Sequence, residues 1–390
     1  MPDARLRVAI VGCGDVAHRH YLPPLEVLAA RAEIVACCDA RPEAAGSAVA
    51  AVRRTSPGAA AFDRLDAMLA RTRPDAVFNL TPAPLHAEVT SQCLAAGAHV
   101  YSEKPIAGSL EAADRLIGEA AAAGVLLMCG PASAVTRQVR WLRGLIDSGE
   151  LGRPTLAIAQ WAGLGPAGWA EYTGDPTVFY GPSVGPVRDL GVYRLHELTA
   201  ILGPVKRVSA MGSIAIPERT IASGRRAGQT LTVTSPDHVL MQLEFAGGPL
   251  ASVLSSFAVP ESLAPRLEIH LTEGSISLRG DQYDEIPAAV FVAKGASGVG
   301  GHDTSGRAAS PVRSVAGVAL APGWNKGVLP PGPPDPFPTV GLGVPHFLAC
   351  VAGEERPVLT AEHARHTLEI VQAAYESIAD GRARNLRTGF

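Results

Sequence analysis

The sequence predicts an α/β protein in two parts: an N-terminal doubly wound domain with a parallel sheet, then a C-terminal α+β domain on a large, mostly antiparallel sheet. Three observations carry that expectation. Short apolar runs alternate with longer helical stretches over the first 130 residues, later apolar runs follow one another with few helices between them, and 390 residues suit two domains of about 100 to 200 residues each.

The runs 6–11, 33–38, 75–80, 99–102 and 125–129 read as strands, with Ala- and Leu-rich stretches such as 84–96 and 109–123 between them as helices. Strand-helix alternation implies right-handed crossovers, hence a parallel sheet covered on both faces. From residue 153 the runs 155–161, 205–214, 230–234, 238–245, 251–257, 267–272 and 275–278 suggest consecutive antiparallel strands. A helix is expected from Asp189 to Leu202, stopped by Gly203 and Pro204. A closing helix is expected after Thr360, a suitable N-cap, with Ala364, Leu368, Val371, Tyr375 and Ile378 on one face and Gly381 at its end. Residues 295–345, dense in Gly and Pro, read as an irregular excursion. The expected boundary falls between residues 130 and 131.

The charge balance narrows the function. With 34 basic and 37 acidic residues, the net charge of −3 speaks against the broad cationic surface that a phosphate backbone requires, so no nucleic-acid partner is expected. Only four of the basic residues are lysines: Lys104, Lys206, Lys294 and Lys326. The six cysteines form no CxxC pair and lie mostly in apolar runs, which suits small core side chains in a reducing compartment rather than disulfides or a metal site. No apolar run approaches the roughly 18 to 20 residues of a membrane span, and no signal-peptide core follows Met1. A cytoplasmic protein with no membrane partner is the expectation.

The first strand runs straight into Gly12-Cys13-Gly14-Asp15-Val16-Ala17. In a G-x-G-x-x-A turn the first glycine permits the tight bend and the second lets backbone approach a pyrophosphate. Alanine at the last position allows close helix-strand packing. The N–H groups at the start of the following helix then face the phosphates. This is the Rossmann dinucleotide fingerprint. The second strand ends at Asp39, placed to accept from a ribose 2′-hydroxyl; against a 2′-phosphate its charge would cost about 4 kcal/mol at ~4 Å and an effective dielectric near 20. NAD is therefore preferred over NADP, although Arg41 offers a guanidinium two residues on. Thr81, Pro82 and His86 follow the run 75–80, and Glu103-Lys104-Pro105 follows the run 99–102, so all are expected to line the crevice at the carboxyl ends of the strands. There Lys104 can donate to a substrate oxygen and favour negative charge as it develops.

A second cluster is Asp189-Leu-Gly191-Val-Tyr193-Arg-Leu-His196. On an ideal helix Tyr193 lies about 40° and His196 about 20° from Asp189, so carboxylate, phenol and imidazole share a stripe. Six aromatics (Trp161, Trp169, Tyr172, Phe179, Tyr180 and Tyr193) fall within 33 residues. Rings beside polar groups suit a sugar, aminosugar or cyclitol, with Trp161 a candidate contact alongside Lys104, Asp189, Tyr193 and His196.

Taken together, Gly12-Cys13-Gly14, Thr81-Pro82 with His86, Glu103-Lys104-Pro105 and Asp189-x-Gly191-x-Tyr193 resemble the glucose-fructose oxidoreductase, inositol dehydrogenase and rhizopine-catabolism (Gfo/Idh/MocA) family. The likeness spans essentially the whole chain. It implies an NAD(P)-dependent oxidoreductase; an exposed face of the second-domain sheet would separately favour a symmetric homo-oligomer, dimer or tetramer. Lys104 and Asp189 would be two members of a catalytic triad whose third member is His or Tyr, here Tyr193. Gly130-Pro-Ala-Ser-Ala134 departs from the family's more polar segment, and His196 stands where an acidic or amide residue is common. With an unperturbed pKa near 6.5, His196 competes with Tyr193 as proton carrier. A redox-neutral enzyme retaining NAD, of glycosidase or epimerase type, and a non-catalytic NAD-binding sensor are the alternatives.

Overall fold

In a computed structural model the chain is described over residues 5–170, 172, 174–182, 184–279, 286–293 and 313–390. It divides into two compact units. The first comprises residues 1–136, 335–369 and 388–390; the second comprises 137–334 and 370–387. The expected boundary near 130 thus moves by a few residues, and a returning C-terminal segment joins the first unit, which sequence order alone does not disclose.

The first unit follows the βα alternation. Strands β1 (Leu6–Val11), β2 (Ala32–Cys38), β3 (Ala60–Phe62), β4 (Ala76–Asn79), β5 (His99–Ser102) and β6 (Leu127–Cys129) form a parallel sheet in the order β3-β2-β1-β4-β5-β6. Helices α1 (Leu22–Val27), α2 (Pro42–Val52), α3 (Leu65–Thr72), α4 (His86–Ala95) and α5 (Leu110–Ala123) connect them. The order reverses between β1 and β4, the switch point where doubly wound sheets bind ligands. β1 and β4 are apolar along nearly their whole length because both their faces are buried. Helix α5 shows how local sequence sets an element: Ser109 Oγ accepts from the Ala112 N–H at 3.2 Å, and Gly124 ends the helix at φ 69°. One core face gathers Ala9, Val11, Val77, Val100 and Leu116, together with Ala361, Ala364 and Leu368 from the returning segment.

The second unit begins with α6 (Arg137–Asp147), which the strand-centred reading passed over. Its signal is nevertheless regular, since Val139, Leu142 and Leu145 are buried at helical spacing. Strand β7 (Pro154–Ala162) follows, then α7 (Val192–Leu202), β8 (Val205–Ser213), β9 (Glu218–Thr220), β10 (Thr230–Thr232), β11 (His238–Phe245), β12 (Leu250–Ser256), β13 (Leu267–Leu271), β14 (Gly274–Leu278) and β15 (Ala288–Val292). Next come β16 (Arg313–Val315), β17 (Val318–Leu320), β18 (Gly323–Val328), α8 (Gly343–Val351), α9 (Ala361–Asp380) and β19 (Arg384–Asn385). Of these α8 and the first half of α9 belong to the first unit.

Nine strands pair as β18-β15-β14-β13-β7-β12-β11-β8-β19, with β7 and β12 parallel and the other neighbours antiparallel. Alternation is clean. Ala157, Ala159 and Trp161 face the core with Val239, Met241 and Val253, while Leu156, Ile158, Met211, Leu240 and Leu250 are exposed on the other face. Two expectations change. The run at 230–234 pairs with β9 in a separate hairpin instead of joining the large sheet. Part of the 295–345 excursion is regular, with β16 to β18 inside it and α8 beginning at Gly343; residues 294–312 lie outside the described residues.

Candidate active site

In the first unit the fingerprint turn is enforced by space. Gly12 has φ 89°, and a Cβ there would lie 2.6 Å from the Leu80 carbonyl and the Thr81 nitrogen, so the β1 turn runs against the end of β4. Gly14 is the complement: a Cβ there meets no protein atom within 4 Å, so the space beside the turn is open. Asp15 and Val16 open the helix, and Asp15 pairs with Arg19 one turn on. Residues Ala17–Tyr21 form a π-helical turn.

Asp39 directly follows the end of β2. Its oxygens accept from the Cys13 N–H (2.9 Å) and the Arg41 N–H (2.9 Å), with the Arg41 guanidinium at 3.3 Å. Burial acts to raise its pKa, but these hydrogen bonds and the guanidinium outweigh burial and hold the carboxyl below its usual range. Arg41 is thereby an ion-pair partner of Asp39.

At the carboxyl end of β5, Glu103 accepts from Tyr21 Oη at 2.6 Å through one oxygen and from the Lys104 N–H at 2.9 Å through the other. Both oxygens are thus engaged by protein donors. Glu103 thereby orients the Lys104 backbone, and each of its oxygens keeps a lone pair for a further donor. Tyr21 was not foreseen, and its signal was a tyrosine one helical turn beyond the fingerprint. Thr81 and Pro82 follow β4, Thr81 half-buried and Pro82 exposed. Asn79, also unforeseen, holds this corner: its Oδ1 accepts from Thr81 Oγ1 (2.7 Å), and its Nδ2 donates to the His86 carbonyl and to Thr90 Oγ1, both at 3.0 Å. His86 is 1% exposed, with one ring nitrogen 2.7 Å from the Thr81 carbonyl and the other 2.7 Å from the Pro105 carbonyl. The expectation of a direct cofactor contact is corrected: its polar atoms are spent on backbone.

In the second unit, Asp189 lies in a π-helical turn, Val187–Gly191, that leads into α7. Gly191 is required by packing, since a Cβ there would overlap Ser255 Oγ on β12. The wider turn changes the angular spacing assumed for an ideal helix, and the three polar residues differ in access. Asp189 is 9% exposed, Tyr193 is half-buried, and His196 is 1% exposed. Burial pushes the His196 pKa down to about 3, which makes the ring a weak base, and with its 1% exposure this speaks against a role as proton carrier or substrate contact. Trp161 is likewise corrected. It is 2% exposed, with its ring 6.2 Å from Trp169 and 5.9 Å from Phe257, so it is core. Around it pack Tyr180, Leu190 and Phe257, with half-buried Trp169, Phe179 and Tyr193 at the edge of the cluster. Among the described residues no three His, Cys, Asp or Glu side chains group to hold a metal, and no helix is long and apolar enough to cross a membrane.

Comparison with known proteins agrees with both halves of this description. Residues 6–131 match the GFO/IDH/MocA oxidoreductase family with NAD-binding Rossmann fold, and residues 139–277 match the GFO/IDH/MocA C-terminal domain. A D-glucoside 3-dehydrogenase from Escherichia coli is 29% identical over 265 residues, 66% of this chain and 72% of that protein. A dTDP-3,4-didehydro-2,6-dideoxy-alpha-D-glucose 3-reductase from Actinomadura kijaniata is 32% identical over 200 residues, 51% of this chain and 56% of that protein. Among solved structures, an NAD binding oxidoreductase from Klebsiella pneumoniae matches with TM-score 0.77 at 18% identity, over 99% of this chain and 100% of that one. The WlbA dehydrogenase from Bordetella pertussis, solved with NADH and UDP-GlcNAcA, matches with TM-score 0.71 at 21% identity, over 99% of each chain. The structural matches speak for the fold alone; with the sequence matches over both parts of the chain, this protein belongs to the Gfo/Idh/MocA oxidoreductase family.

Proposed function

We propose that this protein is an NAD-dependent dehydrogenase or ketoreductase that moves a hydride between nicotinamide and a secondary alcohol or ketone of a sugar, aminosugar or cyclitol. The observation that carries the reading is the first unit's arrangement: open space beside the Gly14 turn, a carboxylate at Asp39, and the Lys104 amide held at the mouth of β5 by Glu103, which Tyr21 bonds in turn. The relatives' names support the substrate class, being a glucoside dehydrogenase, a deoxysugar reductase and a myo-inositol dehydrogenase.

Bound NAD would supply the hydride acceptor or donor, while the protein positions and polarises the substrate. The Gly12–Val16 backbone would hold the pyrophosphate, Asp39 the adenosine ribose, and Thr81 and Pro82 the crevice wall. In the oxidative direction Lys104 Nζ would donate to the reacting oxygen, Tyr193 as its phenolate would take the hydroxyl proton and become the phenol, and Asp189 would orient the reacting groups. A positioned base of this kind contributes about 10²- to 10⁴-fold. We place the protein in the cytoplasm as a homo-oligomer, for which the exposed apolar row Leu156, Ile158, Met211, Leu240 and Leu250 offers a self-complementary face.

The test is to identify the nucleotide that copurifies and to follow reduced-nicotinamide absorbance over sugars, aminosugars and cyclitols. Net reduction or oxidation with one class is expected. Product formation without net absorbance change would replace this reading with a redox-neutral one, and NAD binding with no turnover of any substrate would leave a sensor.

A further inference from the structure

His86 is more constrained than a helix-start residue needs to be. It sits at the amino end of α4 with Nδ1 2.7 Å from the Pro105 carbonyl and Nε2 2.7 Å from the Thr81 carbonyl. A neutral imidazole has one N–H donor, and its other nitrogen is an acceptor. Between two carbonyl oxygens it would satisfy one and set a lone pair against the other, inside a site that water does not reach.

We propose that His86 is a positioning residue that works as an imidazolium, donating from both ring nitrogens and so fastening the Thr81 segment after β4 to the Pro105 segment after β5. These two segments border the cofactor crevice, and the second carries Lys104. The clamp continues through Asn79, which bonds Thr81 on one side and the His86 carbonyl on the other. No carboxylate bonds to the ring among the described residues. On its own helix Glu88 is bonded to Gln92, and on the β5 segment Glu103 is bonded to Tyr21 and the Lys104 amide. On α5, which packs against α4, Glu111 lies in the first turn, Asp114 pairs with Arg365, and Glu119 pairs with Arg115. The cation Lys104, the amino end of α4 and the low-dielectric surroundings all disfavour a positive charge. The two carbonyl bonds are what hold it.

Two readouts test this, and only the second rests on the NAD-dependent reading above. The first is nitrogen NMR of histidine-labelled wild-type protein with NAD added, the His86 signals assigned through bonds or by their loss in His86→Gln. Two protonated ring nitrogens are expected; a pyridine-type nitrogen overturns the proposal whether or not turnover is ever found. The second uses His86→Gln, whose single amide nitrogen cannot span both carbonyls. The NAD dissociation constant and KM should rise roughly ten- to a hundredfold in protein that still melts cooperatively. A lowered Tm with unchanged NAD affinity of the folded fraction marks a merely structural histidine and also overturns the proposal.

Discussion

The two motif-bearing segments are built alike and used differently. Each runs through a π-helical turn, Ala17–Tyr21 in the first unit and Val187–Gly191 in the second, and each has a glycine where no side chain fits, Gly12 against Leu80 and Gly191 against Ser255. In the first unit polar side chains are held by backbone partners: Asp39 by amides, Glu103 by the Lys104 amide, His86 by two carbonyls. In the second, His196 is enclosed by burial and Tyr193 stands at the edge of an aromatic cluster. Hydrogen-bonded frames fix charges where a cofactor is to be bound. An apolar frame keeps an enclosed group neutral.

The largest way to sharpen that contrast is Lys104→Ala. If Lys104 supplies oxyanion-type stabilisation, hydride transfer falls by about 10²- to 10³-fold with NAD affinity nearly unchanged. Stopped-flow reduction and a fluorescence titration of NAD separate the two, and full turnover in the variant sinks the assignment. Next comes Gly12→Ala, which forces a Cβ into the Leu80 carbonyl at a positive φ. A cost on the order of 2 kcal/mol or more is expected, seen as a lowered Tm and weakened NAD binding. Gly14→Ala should weaken NAD binding with Tm nearly unchanged, since its Cβ meets no protein atom.

Asp39→Asn should lower NAD affinity by about tenfold and narrow the preference over NADP. Because the Asp39 carboxyl is held below its usual range when folded, its contribution is present above the ordinary carboxylate pKa and is lost as pH falls through the depressed folded value. His196 has the smallest expected effect at neutral pH. Its folded pKa of about 3 lies below the ordinary 6.5, so the stability it provides is complete above pH 6.5 and declines as pH falls toward 3. His196→Asn should flatten that acid arm in equilibrium unfolding while leaving the neutral limb of the turnover profile in place. A shifted neutral limb would restore His196 as the proton carrier.

Much of this was legible. The βα alternation located five of the six parallel strands, with Ala60–Phe62 too short to register, and Gly12, Asp39 and Lys104 stand at the ends of β1, β2 and β5. What was not legible has physical causes. What a polar side chain bonds to depends on neighbours distant in sequence, as with Glu103 and Tyr21, 82 residues apart, and His86 and Pro105, 19 apart. Whether three residues share a stripe depends on the pitch of their turn, which Val187–Gly191 widens.

The chain's periodicities and turn residues set its two sheets, its fingerprint and its family, because such patterns rest on contacts local to each element. Burial and donor count are properties of the packed state. Folding alone made Trp161 a core ring, made His196 neutral, set His86 between two carbonyls, and carried residues 335–369 back to complete the first unit.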